Sequence, residues 1–273
     1  MSDTKPWLKN YPKGVPSQIN PDAYNSLIEL MEEGFANFSH LAAYSNMGKE
    51  LTYADIDEQS RNFAAYLQSI GLVKGDRIAI QMPNCLQYPI VLFGALRAGL
   101  VVVNTNPLYT PREMKHQFND SGAKAIVIVA NFAFNLEKVL PDSKIEHVVL
   151  TELGDMLGFP KKHIVNFVVK KVKKMVPAFS LPNYTKLSDA LAKGAKASYA
   201  KPDVNNSELA FIQYTGGTTG VSKGAMLSHR NLVANLEANY AWQEEIMKET
   251  DDEKLVVVAA LPLYHVYALT INA

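Results

Sequence analysis

The residues best suited to chemistry in this sequence lie close together, in one polar stretch rich in glycine and hydroxyl groups. Glycine lets backbone N–H groups converge on one point without a Cβ in the way, while hydroxyls and one ammonium group add further donors. Such a set of donors is suited to holding a polyphosphate. The candidate phosphate loop comprises Tyr214, Thr215, Gly216, Gly217, Thr218, Thr219, Gly220, Val221, Ser222, Lys223, Gly224 and Ala225.

Two other interpretations of this loop are less well supported. A Walker A loop requires G-x-x-x-x-G-K-[ST], but here Gly224 follows Lys223, which disfavours a P-loop ATPase or kinase. A flexible Gly/Ser/Thr linker is disfavoured because the loop follows an apolar, strand-like run at 209–212 and precedes a helix start at 228–232.

Residues 214–231, YTGGTTGVSKGAMLSHRN, resemble the phosphate-binding signature of the AMP-forming acyl- and aryl-CoA synthetase superfamily. Flanking blocks match as well, and the whole chain is similar to the first half of proteobacterial long-chain fatty-acid–CoA ligases. These blocks are LTYA at 51–54, KGDR at 74–77, MPNC at 82–85, GALRAGLVVVNTNPLY at 94–109 and LPLYHVYALT at 261–270.

The resemblance implies a two-step reaction that uses ATP, Mg²⁺ and coenzyme A. A fatty-acid carboxylate attacks the α-phosphorus of ATP to give an acyl-adenylate, and the thiol of coenzyme A then displaces AMP. Lys223 would pair with the β- and γ-phosphates as a catalytic residue, and Thr215 would also contact Mg²⁺. Fixed donors at the leaving pyrophosphate would lower the barrier.

His265 is the second candidate catalytic residue, expected to position the carboxylate rather than transfer a proton. It follows an apolar run at 255–260 that predicts a strand, and ligands of open α/β sheets bind beyond strand ends. Tyr264 and Val266 would be walls of the acyl pocket. Taken alone, such a histidine more often has a structural role, which is also the expectation for His229 and Arg230 at a helix start.

The family's later motifs, its hinge and its C-terminal domain have no counterpart before Ala273. We therefore expect a fragment that folds but forms no thioester alone. Exposed apolar surface would favour self-association, such as a homodimer. Two other functions stay open: an adenylate-forming ligase for a medium-chain, aryl or amino acid, and a non-catalytic nucleotide- or membrane-binding module.

Composition narrows the class of protein. The chain has 273 residues, 48% of them hydrophobic, and a formal net charge of +0, which argues against a nucleic-acid binder. The single Cys85 excludes an internal disulfide framework, and burial is a better explanation for it than a nucleophilic role. No signal peptide and no apolar run of about 18 residues is visible, so we expect a cytoplasmic protein.

Alternating strand and helix patterns predict an α/β fold, with a mainly parallel sheet flanked by helices. It would be the N-terminal part of the large domain of an adenylate-forming enzyme. We expect a loose arm at 1–20, a first subdomain at 21–205 and the start of a second at 206–273. Strands are expected at 77–81, 100–103, 125–129, 147–150, 209–212 and 255–260, and helices at 20–38, 52–70, 86–98, 110–120, 132–140, 161–176 and from 228.

The segment 161–176, KKHIVNFVVKKVKKMV, predicts a basic amphipathic helix that Pro177 ends. Ile164, Val168, Val172 and Met175 form its apolar face. Two interpretations stay open: a surface helix that packs this face on the core, or an in-plane helix on an anionic membrane, which would make the protein peripheral.

Overall fold

The computed structural model describes residues 5–216, 221–247 and 256–272. Its strands are β1 (Ala42–Asn46), β2 (Lys49–Thr52), β3 (Arg77–Gln81), β4 (Val101–Asn104), β5 (Ala125–Val129), β6 (His147–Thr151), β7 (Thr185–Lys186), β8 (Leu209–Thr215) and β9 (Lys223–Ser228). Its α-helices are α1 (Leu27–Asn37), α2 (Tyr53–Ser69), α3 (Gln87–Arg97), α4 (Pro111–Ser121), α5 (Ala133–Val139), α6 (Lys161–Phe167), α7 (Leu187–Gly194), α8 (His229–Met247) and α9 (Val266–Asn272).

A seven-stranded sheet organises the chain, in the order β7-β6-β5-β3-β4-β8-β9. Every neighbouring pair is parallel except β8 and β9, which form an antiparallel hairpin at one edge. The predicted α/β class with a mainly parallel sheet is therefore confirmed. The sheet also crosses the expected subdomain boundary at 205, because β4 pairs with β8; the division into subdomains stays a prediction.

Both faces of the sheet are buried, because alternate residues of its central strands enter two separate cores. Ile78 and Ile80 of β3 pack in the core that contains α1, α2 and α3, while Ala79 between them packs against α4 and α5. In the same way Val102 and Val103 of β4 face opposite cores. Continuous apolar runs such as Leu100–Val103 thus read correctly as strands covered on both sides.

Helices α2 and α4 begin where side-chain capping predicts. The Thr52 backbone N–H donates to Asp55 Oδ2 at 2.8 Å, and the Asp55 N–H donates back to Thr52 Oγ1 at 3.1 Å. Thr110 and Glu113 form the same reciprocal box at the start of α4. Each box satisfies N–H groups that have no partner within the helix, which confirms both predicted starts.

The first helix begins later than its sequence pattern suggests. Ser26 accepts a hydrogen bond from the Glu29 N–H and starts α1, whereas 20–26 lie outside the helix. In the segment before the helix, Asp22 forms an exposed ion pair with Arg230 at 2.7 Å. The expected loose arm also contains one short 3₁₀ helix, Pro6–Asn10.

Two further predictions about elements were wrong. The helix expected at 161–176 ends early: α6 continues as a π-helical turn, Val168–Val172, and Lys174 has a positive φ of 52° before Pro177 is reached. Residues 256–260 form no strand, and Val256 and Val258 are 86% and 82% exposed; Leu255 lies outside the described residues. The sequence patterns did not predict the hairpin of β1 and β2 or the short elements β7, α7 and α9. Self-association of the chain stays a prediction. None of the described helices is both long and apolar enough to cross a bilayer.

A buried histidine joins the start of α1 to the start of α8. His229 is 2% exposed, and its Nδ1 accepts a hydrogen bond from the Leu27 backbone N–H at 3.2 Å. The His229 N–H in turn donates to the Glu208 carbonyl at 3.0 Å, which holds the start of α8 beside β8. Burial lowers the pKa of His229 from 6.5 to about 4, because a charged imidazole would lose its hydration.

Folding stability should therefore depend on His229 in mild acid. The unfolded chain takes up the proton near pH 6.5 and the folded chain only near pH 4. The contribution is thus complete above pH 6.5 and is lost as the pH falls to 4, by about 3 kcal/mol. Urea unfolding at several pH values measures it. The control is His229→Asn, which keeps an acceptor for Leu27 but does not titrate; parallel pH profiles for wild type and variant would contradict the expectation.

Candidate functional site

The candidate phosphate loop begins at the end of β8 and ends in β9, and these two strands form an antiparallel hairpin. Strand β8 runs parallel to β4 and ends at the same edge of the sheet, so the turn lies where open α/β sheets bind ligands. The last pair of the hairpin is Thr215 with Lys223. Residues directly opposite in an antiparallel pair project from the same face, so the Thr215 hydroxyl and the Lys223 ammonium group leave the hairpin together, and both residues are exposed.

The outer residues of the candidate loop belong to strands. Tyr214 and Thr215 are the last two residues of β8. Lys223, Gly224 and Ala225 are the first three residues of β9. The turn itself contains Gly216, Val221 and Ser222 among the described residues. The remaining candidates, Gly217, Thr218, Thr219 and Gly220, lie outside the described residues.

Two of these positions have packing roles that limit their part in binding phosphate. A Cβ on Gly224 would lie 2.5 Å from Cγ2 of Ile212 and 3.1 Å from the Tyr214 ring, so only glycine lets β9 approach β8 here. Tyr214 is buried, and its hydroxyl donates to Asp120 Oδ2 at 2.5 Å. Burial, followed by the Asp120 carboxylate, raises the pKa of Tyr214.

A buried set of amides links the end of β8 to the segment that carries His265. The Gln213 Nε2 donates to the Tyr264 carbonyl at 2.8 Å, and the Gln213 Oε1 accepts from Asn104 Nδ2 at 3.4 Å. The Tyr88 hydroxyl lies 2.9 Å from both Asn104 Oδ1 and the Leu263 carbonyl oxygen. The two candidate regions are therefore positioned by one network at the carboxyl ends of β4 and β8.

Asn84 extends this attachment to the preceding residues. Its Nδ2 donates to the carbonyls of Ala259 and Leu261 at 2.8 and 2.9 Å, and its Oδ1 accepts from the Leu263 N–H at 2.8 Å. The segment 259–263 is thus held by side-chain amides instead of the sheet ladder that a strand would have. Neighbouring Cys85 is buried, which raises the pKa of its thiol to about 12, as expected for a structural cysteine.

His265 precedes helix α9, and its side chain is exposed. Its backbone N–H donates to the Pro262 carbonyl and its carbonyl accepts from the Leu269 N–H, each at 2.9 Å. Tyr264 is half-buried. Val266 lines a pocket of about 360 Å³ together with Tyr267, Thr270 and side chains of β9 and α8; that lining includes neither Tyr264 nor His265.

The sequence interpretation missed four residues that position this site: Asn104, His116, Asp120 and Gln213. Asn104 and Gln213 had a readable signal, because each is a polar residue at the carboxyl end of an apolar strand. His116 and Asp120 are four residues apart and so share one face of α4, but their partners in the hairpin lie about a hundred residues further along the chain and leave no local trace.

Comparison with known proteins bears on this arrangement. Residues 31–273 match the family of AMP-binding enzymes. The chain belongs to this family. Long-chain-fatty-acid–CoA ligases from Escherichia coli and Bacillus subtilis are 54% and 35% identical to it, over 98% and 99% of the chain. The chain spans 47% of the length of each.

The fold agrees with this membership. The crystal structure of a long-chain-fatty-acid-CoA ligase from Archaeoglobus fulgidus superposes with a TM-score of 0.69, at 22% identity, and the match covers 95% of this chain and 46% of that one. The three-dimensional likeness therefore extends over nearly the whole chain. The chain therefore shares the α/β architecture of this solved CoA ligase.

We expect the buried amide of Gln213 to hold the 259–265 segment in place. The substitution Gln213→Glu removes the donor to the Tyr264 carbonyl and places a carboxylate in a buried position. The loss should be about 1–3 kcal/mol in unfolding free energy, and limited proteolysis should cleave 256–265 faster. Gln68→Glu is the matched control, because Gln68 is only half-buried and makes solvent-exposed hydrogen bonds to the backbone of Ala200. Equal costs for the two substitutions would contradict the role of the buried network.

Proposed function

We propose that this chain supplies the phosphate-binding part of an AMP-forming long-chain fatty-acid–CoA ligase. The observation that carries the proposal is the hairpin that presents Thr215 and Lys223 side by side at the carboxyl edge of the sheet. The identity of 54% with the Escherichia coli long-chain-fatty-acid–CoA ligase supports the choice of reaction. Because the chain spans about half of that relative, the activity is proposed for the whole protein.

In the proposed reaction the fatty-acid carboxylate attacks the α-phosphorus of ATP, and pyrophosphate leaves. Lys223 places its ammonium group at the β- and γ-phosphates, where negative charge accumulates as pyrophosphate departs. Thr215 contributes its hydroxyl and would be one protein ligand of Mg²⁺, which neutralises phosphate charge when bound and usually keeps several waters. The thiol of coenzyme A then attacks the acyl carbon and AMP leaves.

His265 and its neighbours would hold the acid. The exposed imidazole of His265 is connected through Tyr264 and Gln213 to the base of the hairpin, so both substrates would meet at one edge of the sheet. Val266 lines the pocket beside α8 and would contact the acyl chain. A medium-chain, aryl or amino acid would use the same machinery with a different pocket.

The test is acid-dependent pyrophosphate release by the whole protein with ATP, Mg²⁺ and palmitate. Wild type should respond to palmitate more strongly than to octanoate, benzoate or amino acids. Lys223→Ala should lower kcat/KM for ATP about a hundredfold or more, because a charged donor to the leaving group is lost. Lys193→Ala is the matched control, since Lys193 is exposed and lies on α7.

Each result decides between the functions. Release with another acid instead of palmitate would replace the fatty-acid assignment and keep the adenylation chemistry. ATP binding without release in the presence of any acid would favour a non-catalytic nucleotide-binding module. An unchanged kcat/KM in Lys223→Ala would remove Lys223 from the catalytic residues.

We also propose a peripheral contact between 161–176 and the anionic inner face of a membrane. Three residues of the apolar face of this segment are mostly exposed: Ile164 by 58%, Val172 by 61% and Met175 by 55%. Phe167 is 61% exposed as well. Lysines surround them, and this combination of apolar and basic side chains suits the interface of an anionic bilayer.

Sedimentation with lipid vesicles tests this contact. Replacement of Lys170, Lys173 and Lys174 by glutamine should weaken binding to phosphatidylglycerol vesicles about a hundredfold, because each lysine near such a surface contributes about 1 kcal/mol. The control replaces three exposed lysines elsewhere, Lys186, Lys193 and Lys196. Binding that is unaffected by the first set, or equally weakened by the second, would contradict a specific contact.

A further inference from the structure

Helix α4 holds the hairpin that carries Lys223. The Nε2 of His116 lies 2.8 Å from the carbonyl oxygen of Ser222. A carbonyl oxygen only accepts hydrogen bonds, so this geometry requires that Nε2 carries a proton and donates it. Because Ser222 directly precedes Lys223, the bond holds the backbone at the point where the phosphate loop enters β9.

The same helix contacts the other strand of the hairpin. Asp120 accepts the hydrogen bond of the Tyr214 hydroxyl at 2.5 Å, and the rings of His116 and Tyr214 meet edge to face with centroids 6.3 Å apart. Tyr214 directly precedes Thr215. One face of α4 therefore holds both strands, each one residue before the Thr215–Lys223 pair.

A second hydrogen bond connects the two sides of the hairpin turn. The Ser222 hydroxyl donates to the Thr215 carbonyl at 3.0 Å. On the opposite side α4 is tied to the sheet, because Gln117 Nε2 donates to the Asn104 carbonyl at 2.9 Å. Continuous contacts thus lead from the sheet through α4 and His116 to both proposed phosphate ligands.

We propose that His116 is a positioning residue for the phosphate loop, acting through its Nε2–H bond to Ser222 to hold Lys223 in place for a nucleoside triphosphate. The inference rests on the proposed function and deepens it. His116 does not touch the substrate. Fixed donors stabilise developing charge better than mobile ones. A loop that is already ordered also loses less conformational entropy when the ligand binds.

The experiment compares His116→Leu with His116→Gln in the whole protein. Leucine removes the donor, whereas the glutamine amide nitrogen is able to donate to the same carbonyl. His116→Leu should raise the KM for ATP about threefold to tenfold, the effect of one hydrogen bond, and leave the KM for the fatty acid within about twofold. His116→Gln should restore the KM for ATP to within about twofold of wild type.

Lys115→Ala is the control for a general effect on α4, because Lys115 directly precedes His116 but pairs with Asp142 instead of the hairpin. An unchanged KM for ATP in His116→Leu would overturn the proposal. The proposal would also be overturned if the leucine and glutamine variants lowered the melting temperature equally and left the KM for ATP unchanged, since that pattern indicates a structural role alone.

A failure of the proposed function is distinguishable from a failure of this inference. If wild type releases no pyrophosphate with any acid, the ligase assignment fails, and the affinity for Mg²⁺-ATP measured by calorimetry still tests His116. Weaker binding in His116→Leu than in wild type and His116→Gln would support the positioning role. Equal affinities in all three proteins would overturn it.

Discussion

The geometry of the site depends on one buried amide, that of Gln213. Its nitrogen and oxygen join the Tyr264 carbonyl to Asn104, so a single planar group connects β8, β4 and the segment before α9. Such a group must satisfy its donors and acceptors inside the protein, since an unpaired buried amide is costly. Because its nitrogen only donates and its oxygen only accepts, the amide favours one arrangement of these two partners.

Apolar packing sets up the positions that this amide connects. Residues of the central strands alternate between two cores, so the sheet is fixed by packing on both faces and polar groups are confined to strand ends. At the carboxyl edge those ends carry Gln81, Asn104 and Gln213, all buried. The site is therefore built where the apolar layers stop, with a network that is rigid because its surroundings are close-packed.

Much of the framework was predictable because its signals are local. Capping boxes at Thr52 and Thr110 and apolar runs at 77–81 and 125–129 depend on residues a few positions apart, and the observed elements match them. The start of α1 was misplaced because Asn20-Pro21-Asp22 resembles a helix start, whereas Ser26 is the residue that caps the helix. The strand expected at 255–260 failed for a similar reason: its local pattern is apolar, but its described residues pair with no strand of the sheet.

The residues of the site show the same difference between local and long-range signals. Residues 214–225 were predicted to bind phosphate from residue type and spacing, and the sequence could not show that Tyr214 and Gly224 serve packing. His116 was missed because its partner is a backbone carbonyl, whose chemistry is identical at every residue. Only the fold brings that carbonyl to the helix.

The bond between Leu27 and His229 has a consequence for the order in which the chain folds. It joins residues 202 positions apart, so it cannot form on the ribosome until the start of α8 has left the exit tunnel. Helix α1 therefore lacks its hydrogen bond to His229 while the central strands assemble. The entropic cost of closing so long a loop belongs to a late step of folding. Helix α1 can pack against α2 and α3 before that step, so the Leu27–His229 hydrogen bond is the contact that fastens an already packed α1 to α8 late in folding.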